Sequence, residues 1–110
     1  MKLKLDPKRY VDKQEVFTGE MVYQIITRLE EIGLEGDILK ETAGKIAFDI
    51  ACMVDDTAGL EFDGIEANPY LTFFDEKAND EIIHLGGNSY CHEMVYGILN
   101  AILSGKDEPA

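Results

Sequence analysis

His84, Cys91, His92 and Glu93 gather both histidines of the chain, one of its two cysteines and a carboxylate within ten residues, all of them metal-ligand types. A divalent cation would need them to converge. On a helix, the neighbours Cys91 and His92 point about 100° apart, Cys91 falls inside an apolar arc, and His92-Glu93 lacks the second histidine of a zinc-binding helix. The same arc works against a thiol nucleophile, which needs an accessible thiolate beside an imidazole such as His84. Cys91 therefore reads as a buried thiol and His92 as a boundary residue stacked near Tyr96, one turn on. No catalytic residue, metal ligand or cofactor is assigned. Gly86-Gly87-Asn88-Ser89 could offer backbone N–H groups to an anion. No Lys or Arg lies nearby, and a strand-to-helix turn with Asn88 or Ser89 as the cap accounts for these residues.

The denser chemical feature is acidic. Nine carboxylates lie between Asp55 and Glu81 (Asp55, Asp56, Glu61, Asp63, Glu66, Asp75, Glu76, Asp80, Glu81) against one cation, Lys77. Asp63-Gly64 is the preferred two-residue hairpin turn, and the register it sets puts Phe62 opposite Ile65, Leu60 opposite Ala67 and Glu61 opposite Glu66. Facing carboxylates cost stability unless they splay into water or a cation comes between them. The spacing does not match an EF-hand loop, and acid–base work would need a cleft with two unlike environments. A solvated sheet face is the default reading of these groups; if the face is functional, Asp55, Asp56, Glu61, Asp63 and Glu66 are the candidate contacts for a basic protein partner.

The formal net charge is minus 12, yet the first thirteen residues hold Lys2, Lys4, Lys8, Arg9 and Lys13 against two acids, leaving minus 15 on the rest. This asymmetry suggests a basic arm lying on the acidic body or mediating self-association. Direct nucleic-acid binding is disfavoured because phosphate contact requires clustered cations. A body this acidic could instead mimic the phosphate backbone. No apolar run approaches the roughly 20 residues that span a bilayer, and no apolar stretch follows the basic start. The expectation is a cytoplasmic protein with reduced thiols and no membrane partner.

Several elements must position these groups. Lys2 to Leu5 alternates like an edge strand. Thr18 as N-cap opens a helix with Met21, Val22, Ile25, Ile26, Leu29 and Ile32 on one stripe and Gly33 at its C-terminal end. Asp37 caps a second helix to about Val54, with Leu39, Ala43, Ile46, Ala47, Ile50, Met53 and Val54 on the apolar arc. Phe48 and Cys52 fall on its polar side, so either a second side is covered or the two residues are a homodimer contact. Two strand pairs follow, Leu60–Phe62 with Ile65–Ala67 and Tyr70–Phe74 with Glu81–Leu85. A last helix runs to about Leu103, with Gly105 past its end and residues 106–110 as a frayed tail. The expected fold is α+β: one domain over 1–110, with three helices packed on one face of a small antiparallel meander of three to five strands, in the order (β)-α-α-β-β-β-β-α.

The functional expectation is a small acidic interaction module without catalytic activity, of inhibitor, immunity-type or adaptor character. The alternative is a small-molecule binding protein or enzyme whose pocket lies between the last helix and the sheet, lined by Tyr70, Phe74, His84, Tyr90 and His92.

Overall fold

The computed structural model describes residues 1–107, and its elements follow in the order β1 (Lys2–Leu5), α1 (Pro7–Glu31), α2 (Gly36–Val54), β2 (Leu60–Phe62), β3 (Ile65–Ala67), β4 (Phe73–Asp75), β5 (Ala78–His84) and α3 (Cys91–Asp107). The class is α+β. The sheet differs from an antiparallel meander. Strand order is β1-β5-β4, with β1 parallel and β4 antiparallel to β5, while β2 and β3 form a separate two-stranded sheet. A parallel partner far along the chain leaves no turn signal to read, so local pattern missed it.

Helix α1 starts at Pro7, well before Thr18. Asp6 is the N-cap, its Oδ1 accepting from the Arg9 N–H at 3.2 Å, and proline suits the first helical position. Thr18 sits inside the helix, fully buried, and its hydroxyl donates back to the Gln14 carbonyl at 2.8 Å. Gln14 is also fully buried. Two polar residues on the inward face interrupt the apolar period and hide the first turns. The helix stops as expected: Gly33, at φ +95°, donates to the Glu30 carbonyl and Leu34 donates to Leu29, which closes a Schellman motif.

The core is a three-helix cluster of Val22, Ile26, Leu39, Ala43, Ala47, Ala51, Cys91, Val95 and Leu99. On α2 the buried face is the small-residue face, Ala43, Gly44, Ala47 and Ala51 with Leu39, whereas Ile46, Ile50 and Met53 remain exposed. Small side chains let α3 approach closely: a Cβ on Gly44 would stand 2.9 Å from Tyr96 Cε1. The expected cap at Asp37 is also displaced, since α2 begins at Gly36 with Glu35 as an N-cap that makes no side-chain bond. Helix α3 runs through Gly105 to Asp107, so residues 106 and 107 are helical, and 108–110 of the expected frayed tail lie outside the described residues.

The basic start of the chain lies on the acidic body. Arg9 grips buried Asp75 with both guanidinium nitrogens, at 3.2 and 2.8 Å, and reaches Glu76 at 3.2 Å, while Lys13 meets Glu76 at 2.5 Å. The Arg9 bond, reinforced by the Lys77 N–H, holds the Asp75 carboxyl well below the usual carboxylate range. Lys13 does the same for Glu76, lowering it to about 2.

Candidate functional site

Asp55 is buried, and it is structural. It ends α2 and caps α3 from a distance: Oδ1 accepts from Ser89 Oγ at 2.5 Å, and Oδ2 accepts from the His92 N–H at 2.8 Å and lies 2.6 Å from His92 Nδ1. Burial opposes the ionised form, but the bonds from Ser89 and His92 outweigh it and hold the carboxyl below its ordinary value. Asp55 is thereby removed from the accessible carboxylates. Gln14 Oε1 takes the neighbouring Tyr90 N–H at 2.6 Å, so two residues remote in sequence cap α3 where Asn88 or Ser89 was expected to. Asn88 instead ties the loops, donating to the Asp55 and Pro69 carbonyls and accepting from the Leu71 N–H. No sequence spacing announces these caps, because the partners are 37 and 76 residues apart.

Ser89, His92 and Asp55 are the residue types of a hydrolytic triad, but the connectivity differs. Ser89 gives its proton to the carboxylate, not to the imidazole, so the arrangement does not activate the hydroxyl. Cys91 is fully buried in the helical core, where burial pushes its thiol up, away from a reactive thiolate. Among the described residues no three His, Cys, Asp or Glu side chains group as a cation site would require.

The five expected pocket residues occupy separate places. Tyr70 and His84 share a depression of about 270 Å³ with Leu3 and Thr72. Phe74 lines a different groove, Tyr90 is half-buried with its N–H on Gln14, and His92 is held by Asp55. A larger groove of about 780 Å³ runs between α1, α2 and β4, lined by Val16, Phe17, Met21, Ile50, Phe73 and Phe74 with Glu20 at its edge. Phe17 also borders a second recess of about 340 Å³ shared with Met53, Leu60 and Tyr70. The sequence reading missed both, because Ile50 and Met53 were assigned to the core.

Phe48 and Cys52, the expected dimer contact, are half-buried. The Phe48 ring meets His92 edge-on at 6.0 Å and lies against Tyr96 at 5.8 Å, so α3 supplies the second cover that this side of α2 requires.

The hairpin matches its expected register: Leu60 pairs with Ala67, Glu61 with Glu66 and Phe62 with Ile65. Asp63 and Gly64 both take positive φ, 52° and 79°, as a type I′ turn demands. Alternation puts Glu61 and Glu66 on one face and Phe62 and Ile65 on the other, where they are 88% and 74% exposed. Asp56 stays partly accessible, with Oδ2 accepting from Asn68 at 2.9 Å. The accessible acidic set is thus Glu61, Asp63 and Glu66, with Asp56 behind them.

The chain matches no protein-family model, no curated protein and no solved structure. No helix among the described residues is long and apolar enough to cross a membrane.

Proposed function

We propose that the protein is a non-catalytic interaction module that binds a basic protein surface through the β2–β3 hairpin, as an inhibitor, immunity-type protein or adaptor would. One observation carries this reading: the exposed Phe62–Ile65 pair sits on a hairpin whose turn and opposite face hold Asp63, Glu61 and Glu66. Large apolar side chains give an interface its anchors, and a surrounding ring of one charge selects the partner and speeds encounter. Lys4, Arg9 and Lys13 of the basic start are engaged with Asp75 and Glu76. A groove that normally holds nucleic acid is one such basic surface.

Affinity capture from the native host at low and high salt provides the test. Wild type is compared with a Phe62→Ser, Ile65→Ser variant and a Glu61→Lys, Glu66→Lys variant. A partner held at low salt, released at high salt and lost with both variants supports the reading. Capture indifferent to salt and to charge reversal refutes it.

A second reading, binding of an apolar small molecule, draws on the groove at Val16, Phe17 and Phe74, whose volume of about 780 Å³ is in the range of ligand sites. Nile red emission unchanged between wild type and a Val16→Ser, Phe74→Ser variant rules it out.

A further inference from the structure

Large apolar side chains remain uncovered along the seam between α1, α2 and β4. On α2, Ile46, Ile50 and Met53 form a stripe at i, i+4 and i+7 that reaches water, Met53 at 52% exposure. Ile50 joins Val16 and Phe17 of α1 and Phe74 of β4 in the groove of about 780 Å³, where Val16 is 73% and Phe74 66% exposed. Along α1 the lining runs from Lys13 to Gln24, about 16 Å at about 1.5 Å per residue, the length of a helix of about eleven residues. At Phe17 the groove meets the recess whose wall includes Met53 and Leu60, and Leu60 shares the hairpin face of Phe62 and Ile65. The rim is acidic. Asp12 and Glu20, both exposed, stand one turn to either side of Val16, and exposed Asp49 lies between Ile46 and Met53 on α2. Lys13, the cation that lines the groove, is already held by Glu76 at 2.5 Å. Glu20 accepts from Gln24 at 2.9 Å, a neutral donor that leaves its charge uncompensated.

We infer that this groove receives a basic amphipathic helix of a protein partner, its apolar side against Phe17, Ile50 and Phe74 and its lysines or arginines against Asp12, Glu20 and Asp49. The inference rests on the reading of the chain as a module for a basic protein partner, and it names the element of that partner that is gripped. Charge selects the occupant. An apolar wall between two carboxylate rims complements the two faces of such a helix. A second copy would bring another chain of net charge minus 12 to the same rim, and an anionic lipid surface would be repelled. A neutral small molecule would leave the rim unengaged. Shape agrees with charge, since α1 and α2 both offer exposed side chains at helical spacing, into which the ridges of a third helix can pack, as α3 packs on their buried side. Through the recess at Phe17 the groove continues to the hairpin, so one partner can engage both.

Fluorescence anisotropy of the full chain with three labelled peptides of about fourteen residues tests this. One places leucine and lysine at the helical period, one alternates them at the strand period, and one keeps the helical period with glutamate in place of lysine. The helical lysine peptide is expected to bind at least about tenfold tighter than the other two. The Val16→Ser, Phe74→Ser variant weakens it by about tenfold. The Glu20→Lys, Asp49→Lys variant weakens it at low salt and much less at high salt. All four positions are exposed, so the circular dichroism spectrum is expected to stay unchanged; if one variant fails to fold, the other decides. The Phe62→Ser, Ile65→Ser variant keeps the peptide while it loses the captured partner, so this inference and the hairpin reading fail separately. The inference is overturned by a helical lysine peptide that does not bind at about 300 micromolar protein, or that is indifferent to both groove variants. A strand-period or glutamate peptide that binds as tightly overturns it too. Sedimentation of the chain alone as a dimer that Val16→Ser, Phe74→Ser dissolves would give the groove to a second copy and likewise overturn it.

Discussion

Replacing Asp55 with Asn changes one oxygen into an NH2 group at almost constant volume, so its effect isolates what the carboxylate contributes. The carboxylate receives Ser89 Oγ, the His92 N–H and His92 Nδ1, all within 2.8 Å. In the variant the amide oxygen can still face the His92 N–H, and the NH2 can donate to a rotated Ser89 hydroxyl, so the hydrogen-bond count largely survives. The charge does not. Bonds to a charged group contribute about 1.5–3 kcal/mol each against about 1 for neutral ones, and a carboxylate at a helix N-terminus adds up to about 1 kcal/mol. The expected loss is about 3 kcal/mol, which lowers the melting temperature of a chain this size by roughly 12–20 °C. Urea unfolding followed by circular dichroism measures it, with exposed Asp63→Asn as a control expected to stay within about 0.5 kcal/mol. A loss below about 1 kcal/mol for Asp55→Asn would refute the claim that this carboxylate holds the start of α3 to the end of α2.

Acid stability follows from the same groups. Asp55, Asp75 and Glu76 have folded values below their unfolded ones, so their contribution is complete above the ordinary carboxylate range, near pH 4. It is lost as pH falls through the folded values, and the urea midpoint should therefore drop between about pH 4 and 2, where Glu76 titrates. Arg9→Met strands the buried Asp75 carboxylate and should destabilise more than the paired Arg9→Met, Asp75→Leu change; equal melting temperatures would count against the pairing. Thiol titration with a disulfide reagent should find Cys52 in the native protein and Cys91 only after unfolding, and two fast-reacting native thiols would contradict the buried position of Cys91.

Local chemistry made the hairpin readable, because an Asp-Gly turn dictates which residues face each other and does so within six positions. Gly33 was equally readable as the end of α1, since a left-handed C-terminal residue there completes a local motif. The start of α1 was not. Buried Gln14 and Thr18 look like surface residues in a sequence, and only their partners, the Tyr90 N–H and the Gln14 carbonyl, make that burial tolerable. On α2 the apolar arc was located but the side facing the core was misjudged. Large Ile50 and Met53 suggested burial, whereas close approach of α3 selected the alanines and Gly44.

The sequence by itself determined the α+β class, the hairpin with its facing carboxylates and the charge imbalance between the first thirteen residues and the rest. These depend on neighbours a turn or a few residues apart, where period and turn chemistry act. Only the tertiary structure decided which carboxylates stay exposed and which are struts. Asp55 and Asp75 belong to the same acidic run as Glu61 and Glu66, yet a helix start and a guanidinium from distant parts of the chain draw them inside. It also decided that Lys4 faces inward and Leu3 outward, because alternation specifies two faces and only packing says which one the helices cover.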